Sequence, residues 1–215
     1  MIPDWAGERR AMVEKQLRRR GIDDARVLAA MEQIPREEFI PLVSRIEAYA
    51  DEPVEIGRGQ TISQPYMTAL MAAELQLDGT GNVLEVGAGC GYAAAVLGAL
   101  AAHVVSVELI PELAELARYN LRRTGRDGNI EVIAADGSLG YAPLAPYDAI
   151  SVAAGAPDVP PALLAQLRDP GRLVIPVGAF EDQELRVVHR HGGRLDSRVS
   201  TLCRFVPLRG GEGWA

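Results

Sequence analysis

Asn82-Val83-Leu84-Glu85-Val86-Gly87-Ala88-Gly89-Cys90-Gly91-Tyr92-Ala93-Ala94-Ala95-Val96-Leu97 sets the architecture of this chain. The first five residues are a short, mostly apolar run of the length of a buried strand, and the alanine-rich stretch from Tyr92 is helix-prone. Gly87, Gly89 and Gly91 therefore occupy the turn where a parallel strand hands over to its helix. Glycine suits that place because the chain must turn sharply and let a ligand approach the backbone with no Cβ in the way. In open α/β sheets such turns, at the carboxyl ends of the strands, are where nucleotide-like ligands bind.

The spacing separates two ligand classes. A dinucleotide fingerprint reads G-x-G-x-x-G and places a pyrophosphate at the helix N-terminus. Here the pattern is G-x-G-x-G followed by Tyr92, with Glu85 two residues before the first glycine. This arrangement resembles motif I of the class I S-adenosylmethionine-dependent methyltransferases. The resemblance implies S-adenosyl-L-methionine as cofactor, with Gly87, Ala88, Gly89 and Gly91 around it and Glu85 helping to hold its amino acid end. That cofactor carries an ammonium group and no phosphate, so a carboxylate at the turn is chemically apt. An ordinary strand-to-helix turn would show the same glycines, and the next strands therefore matter.

Val104-Val105-Ser106-Val107 is β-branched and apolar and delivers Glu108 at its carboxyl end. A carboxylate about twenty residues past the first glycine is placed to accept both hydroxyls of a ribose diol. Leu109 beside it is counted with the cofactor-binding residues. An exposed acid at the start of the following helix, favoured there by the helix dipole, is the plainer account of Glu108. Glu131 to Ala134 is a third strand, followed by Asp136-Gly137, where class I methyltransferases contact the adenine amino group. By itself Asp-Gly is a turn.

The remaining elements alternate. Arg9 to Arg20 reads as a helix ended by Gly21, and Asp23 or Asp24 caps a second helix that Pro35 stops. Pro41 to Gly59 lacks periodicity and reads as an extended segment leading toward the site, and Pro65 to Leu75 as a helix. Ile110 to Thr124 is a helix with Pro111 in its first turn and Gly125 just past its end. Tyr147 to Val152 and Gly171 to Pro176 are the fourth and fifth strands; Leu185 to His189 and Val199 to Leu208 flank His191-Gly192-Gly193 as an antiparallel hairpin. The expected fold is α/β and Rossmann-like, a mostly parallel doubly wound sheet with a C-terminal antiparallel hairpin and an N-terminal helical segment. Residues 1–78 form the helical and site-covering segment and 79–215 the methyltransferase core, together one compact unit.

Composition bounds the partners. The chain has 215 residues, 48% of them hydrophobic, enough for a large core. No apolar run is long enough to span a bilayer, and the first residues lack a signal-peptide layout, so a cytoplasmic protein is expected. Two cysteines, Cys90 and Cys203, make neither a disulfide framework nor a metal cluster, and the three scattered histidines suggest no metal or acid–base role. A net charge of −7 argues against a nucleic-acid substrate. A monomer is expected.

Upstream of the glycine turn, Ile56-Gly57-Arg58-Gly59-Gln60-Thr61-Ile62-Ser63-Gln64-Pro65-Tyr66-Met67 closely resembles the signature segment of the protein-L-isoaspartate O-methyltransferase family. The resemblance continues through Ala135-Asp136-Gly137, Tyr147 to Ile150, Ala153 to Pro157, Val159 to Leu163, Gly171 to Gly178 and Arg204 to Leu208. Departures are mild: Cys90 stands where a serine is common, Ala88 where a small polar residue is common, and Gly155 interrupts a run usually richer in alanine.

The resemblance implies methyl transfer to the free α-carboxylate of L-isoaspartyl residues in damaged proteins and peptides. The resulting ester collapses non-enzymatically to a succinimide, whose hydrolysis restores some normal linkage. It also implies that the signature segment closes over the cofactor, with Gln60 and Thr61 offering hydrogen bonds and Ile62 excluding water, while Ser63 sits near the acceptor carboxylate. Capping of the following helix would also account for Ser63. Two other readings use the same residues: a carboxyl methyltransferase acting on aspartate in a dedicated precursor peptide, disfavoured by the lack of an obvious recognition extension after Leu208, and a non-catalytic module that keeps the fold, disfavoured by intact Glu85, Glu108 and Ser63.

Overall fold

The computed structural model describes residues 3–214. Helix α1 (Trp5–Met12) starts four residues before Arg9, because the Asp4 carboxylate accepts the Gly7 N–H and caps it. It runs on through a π-turn (Val13–Leu17) and a 3-10 turn (Arg18–Arg20) to Gly21, which ends it at φ 90°. For α2 (Ala25–Gln33) the cap is Asp24, whose carboxylate accepts from Arg26 N and Val27 N. The segment expected to be extended from Pro41 to Gly59 is not so throughout. A 3-10 helix occupies Leu42–Glu47, and a small hairpin follows, with β1 (Val54–Gly57) antiparallel to β2 (Gln60–Ile62). These pieces are too short to leave a periodic signature. Helix α3 (Pro65–Leu75) begins with its proline in the first turn, where a missing N–H costs nothing.

Strand β3 (Asn82–Val86) is an interior strand of the main sheet, third from one edge. After it come α4 (Tyr92–Gly98), β4 (His103–Glu108), α5 (Pro111–Arg123), β5 (Ile130–Ala134), β6 (Tyr147–Val152) and α6 (Pro161–Gln166). Three long strands finish the sheet: β7 (Leu167–Gly178), β8 (Gln183–His191) and β9 (Arg194–Cys203). The order is β5-β4-β3-β6-β7-β8-β9, parallel from β5 to β7 and antiparallel for the last two pairings. The chain leaves β3 for β4 on one side, and β6 pairs on the other, so the carboxyl end of β3 is a topological switch point.

The last three strands differ in extent from expectation, β8 running two residues further at each end. β7 starts at Leu167, directly after α6. β9 starts at Arg194, because Gly192 and Gly193 at φ 58° and 76° make a two-residue hairpin turn. It ends at Cys203, and residues 204–208 cross the ends of the strands instead: Gly155 N donates to Val206 O and Leu208 N to Gly155 O.

Alternation along the strands divides the core. Val83 and Val104 face an apolar cluster that includes Met12, Leu28 and Met31 from the N-terminal helices and Leu185 from β8. Leu84, Val86, Val105 and Val107 face a second cluster with Tyr147, Leu163 and Leu208. The N-terminal helices thus share a core with the sheet. Among the described residues no helix is long and apolar enough to cross a membrane.

Candidate active site

A cleft of about 460 Å³ opens at the carboxyl ends of β3 and β4. Its floor is the glycine turn. Gly87 and Gly89 stand at φ 93° and 53°, which favours glycine, and a Cβ at Gly89 would meet Ile56 Cδ1 of the covering hairpin at 3.2 Å. The opposite wall is that hairpin and the segment after it, Arg58 to Ser63, with Arg58 tied to Glu112 of α5 at 3.0 Å. Val206 to Arg209 form a third wall.

Glu108 ends β4 at the mouth of the turn, 7% exposed. Its Oε2 accepts the Gly89 N–H at 2.8 Å and its Oε1 the Ile110 N–H at 3.0 Å. A carboxylate has about four acceptor positions. Two are used to brace the turn, which leaves two for a diol entering the cleft. Leu109 and Gly137 also line it, and a Cβ at Gly137 would collide with Val86 Cγ1 at 2.6 Å.

The structure brings Gln60, Thr61, Ile62, Ser63, Gly87, Ala88, Gly89, Glu108, Leu109 and Gly137 together around this one cleft. Three other expected residues lie off its surface. Gly91 turns the chain into α4, where a Cβ would meet the Ala117 backbone at 3.2 Å, so it serves helix packing. Asp136 accepts hydrogen bonds from Ser138 N, Ser138 Oγ and Gly211 N and thereby pins the C-terminal tail. Burial opposes its ionisation, but those bonds outweigh it and hold the carboxyl below its ordinary value. Glu85 is beneath the floor, 1% exposed, and burial pushes it to about 8.

Ser63 does not cap α3: the N-cap position is Gln64, with no side-chain capping bond. Instead Ser63 lines the cleft and also an adjoining groove of about 410 Å³, together with Thr61, Ala153, Val206 and Pro207. The groove's other walls include Pro53, Met67, Phe180 and Arg204. Thr68, Tyr92 and the 206–209 strip also wall the cleft, without a local sequence pattern that marks them. Only the family-like run Arg204 to Leu208 hinted at the strip. Cys90 lines the cleft with its thiol pushed by burial to about 11, so it is no thiolate. Among the described residues no cluster of three or more metal-ligating side chains occurs.

A Rossmann-like sheet, a glycine turn after its first parallel strand and an acid ending the second define a class I S-adenosylmethionine-dependent methyltransferase, and the backbone cradle and the Glu108 carboxylate beside it fit that cofactor. Within that class the sequence model of protein-L-isoaspartate (D-aspartate) O-methyltransferase matches residues 8–213, and the chain belongs to that family. The chain is 54% identical over 213 residues to protein-L-isoaspartate O-methyltransferase 2 of Marinobacter nauticus, covering 98% of this chain and 97% of that one. It is 52% identical to the protein-L-isoaspartate O-methyltransferase of Koribacter versatilis, covering 99% and 97%. Among solved structures, a protein-L-isoaspartate O-methyltransferase superposes with a TM-score of 0.82 at 31% identity over 95% of this chain and 66% of that one. A Plasmodium falciparum chain described as such an enzyme, in complex with S-adenosyl-L-homocysteine, gives 0.78 at 27% identity over 94% and 98%.

Proposed function

We propose that this chain methylates the free α-carboxylate of L-isoaspartyl residues in damaged proteins and peptides, and so initiates their repair. The observation that carries the reading is the shared wall between cleft and groove: a peptide lying in the groove meets the cofactor cleft at Ser63 and Thr61. S-adenosyl-L-methionine supplies an electrophilic methyl group on a sulfonium. The chain's own residues supply position. An acceptor carboxylate is already ionised at neutral pH, so no general base is needed. Alignment and water exclusion carry the rate, effects that together reach roughly 7–11 kcal/mol.

In this reading Glu108 takes the ribose diol while bracing Gly89, the Gly87 to Gly89 backbone allows close approach, and Gly137, packed on Val86, lines the cleft beside it. Leu109 and Ile62 exclude water, Gln60 and Thr61 cover the cofactor, and the Ser63 hydroxyl donates to the acceptor carboxylate. The chain acts as a single copy in the cytoplasm on protein and peptide acceptors, its charge of −7 being ill-suited to a phosphate backbone.

The test is methyl transfer to an isoaspartyl peptide beside its aspartyl twin. The two carry equal charge and differ only in where the backbone leaves the carboxylate, so geometry alone discriminates them. We expect methylation of the isoaspartyl peptide with little or none of the twin, and a loss of turnover in Ser63→Ala larger than any loss of cofactor affinity. Equal methylation of both peptides defeats the repair reading; full turnover by Ser63→Ala removes that serine from the acceptor site.

A further inference from the structure

Beneath the cleft floor, on the sheet face covered by α3 and α4, three polar side chains stand in a row. Glu85 on β3 is in register with Ser106 on β4 and Ser151 on β6. They are 1%, 0% and 6% exposed. Glu85 Oε2 accepts the Ser106 hydroxyl, but Oε1 is buried with no partner in the protein. Leaving such an atom unsatisfied costs about 1–3 kcal/mol. Glu85 borders a cavity of about 20 Å³ that Ser63, Thr68 and Ser151 also line. A cavity of that size holds one water, and a buried water uses two to four polar partners. Glu85 and the three hydroxyls are such a set.

We propose that Glu85 is a positioning residue for Ser63: its free carboxyl oxygen holds one ordered water that in turn fixes the Ser63 hydroxyl, tying the cofactor turn to the acceptor segment from below. The inference rests on the role given to Ser63 above. It differs from a direct contact between Glu85 and the cofactor's amino acid end, which would require the carboxylate to face the cleft; Glu85 is not among the residues that line it. The chemistry of the group agrees. Burial pushes Glu85 to about 8, the Ser106 hydroxyl opposing and the Glu108 charge adding, so at neutral pH it is chiefly the neutral acid. A neutral acid both donates and accepts, and a buried relay carries it without an unpaired charge.

The test uses the full chain with Glu85→Ala, Glu85→Gln, Ser63→Ala and the Glu85→Ala/Ser63→Ala double variant. We expect Glu85→Ala to lower kcat on the isoaspartyl peptide by about tenfold while the Kd for S-adenosyl-L-homocysteine moves by less than about threefold. Glu85→Gln keeps a donor and an acceptor in place and should recover at least about a third of kcat. The double variant should be no slower than the worse single one within about twofold. A loss of affinity of about tenfold in both Glu85 variants would make Glu85 a cofactor ligand and overturn the inference, as would kcat losses that multiply in the double variant.

A high-resolution crystal structure of the wild type should show a water within about 3.2 Å of Glu85 Oε1 and of Ser63 Oγ; no such water overturns the inference. This arm needs no turnover, so it decides the matter even if the wild type ignores isoaspartyl peptides, the outcome that defeats the functional reading instead. Should Glu85→Ala fail to fold, Ser151→Ala removes another partner of the water, and the same separation of kcat from Kd is read on it.

Discussion

At the scale of single residues, the two acids of the site differ because one ends its strand and the other sits inside it. Glu108 reaches the cleft, and its carboxylate holds Gly89 and Ile110 by their N–H groups. Glu108→Ala should weaken S-adenosyl-L-methionine binding by about 1.5–3 kcal/mol, the range for a hydrogen bond to a charged group; unchanged calorimetric affinity in the folded variant would take Glu108 out of the ribose site. Glu85 is raised from an ordinary value of 4.5 to about 8. The native state therefore keeps a proton that the unfolded chain has lost between those two values, so stability is highest below the window and falls as pH rises through it. Glu85→Gln removes this slope, and relative to wild type the variant should gain on the order of 4 kcal/mol between acid and mildly alkaline pH, read from urea melts across the range. Cys90 is buried with its thiol pushed up to about 11, and transfer to a carboxylate needs no thiol nucleophile. Cys90→Ser should remain active, and loss of turnover in a folded, cofactor-binding variant would show otherwise.

At the scale of elements, close packing fixes what the glycine turn tolerates. Gly91 stands at φ 88°, and a Cβ there would lie 3.2 Å from the Ala117 backbone of α5. Gly91→Ala combines the left-handed penalty with an overpacked contact and should cost about 2–4 kcal/mol in a thermal or urea melt. The covering hairpin is held differently, by the Arg58–Glu112 pair at its turn and by Ile56 and Ile62 in the apolar cluster beneath. The pair is more than half exposed, so the hairpin's place depends chiefly on the two isoleucines.

At the scale of the whole molecule, one apolar cluster joins the N-terminal helices to the central strands. Unfolding should therefore be a single cooperative event, residues 1–78 melting together with residues 79–215. The two tryptophans make this measurable. Trp5 opens α1, while Trp214 near the far end stacks on Phe180 at 4.4 Å and donates from Nε1 to Gly155 O. Variants retaining only one tryptophan should melt at the same urea midpoint as each other and as the far-ultraviolet circular dichroism; separated midpoints would mean that the N-terminal segment unfolds independently.

The sequence by itself determined the strand–turn–helix order, the glycine turn, Glu108 at the end of its strand, and the limits of α3, because these depend on local pattern: apolar runs, φ-permissive residues and caps within a few positions. It did not reveal the 3-10 helix and hairpin between Pro41 and Gly59, too short for any period, nor that residues 204–208 leave the last strand to wall the cleft. The fates of Glu85, Asp136 and Ser63 were decided only by the tertiary structure. Parallel register aligned Glu85 with Ser106 and Ser151 beneath two helices, and the folded-back tail brought Gly211 to Asp136 across 75 residues. Packing of hairpin, tail and sheet left Ser63 between cleft and groove rather than at the cap of its helix. Side-chain surroundings of this kind arise from contacts between distant parts of the chain, and no local pattern encodes them.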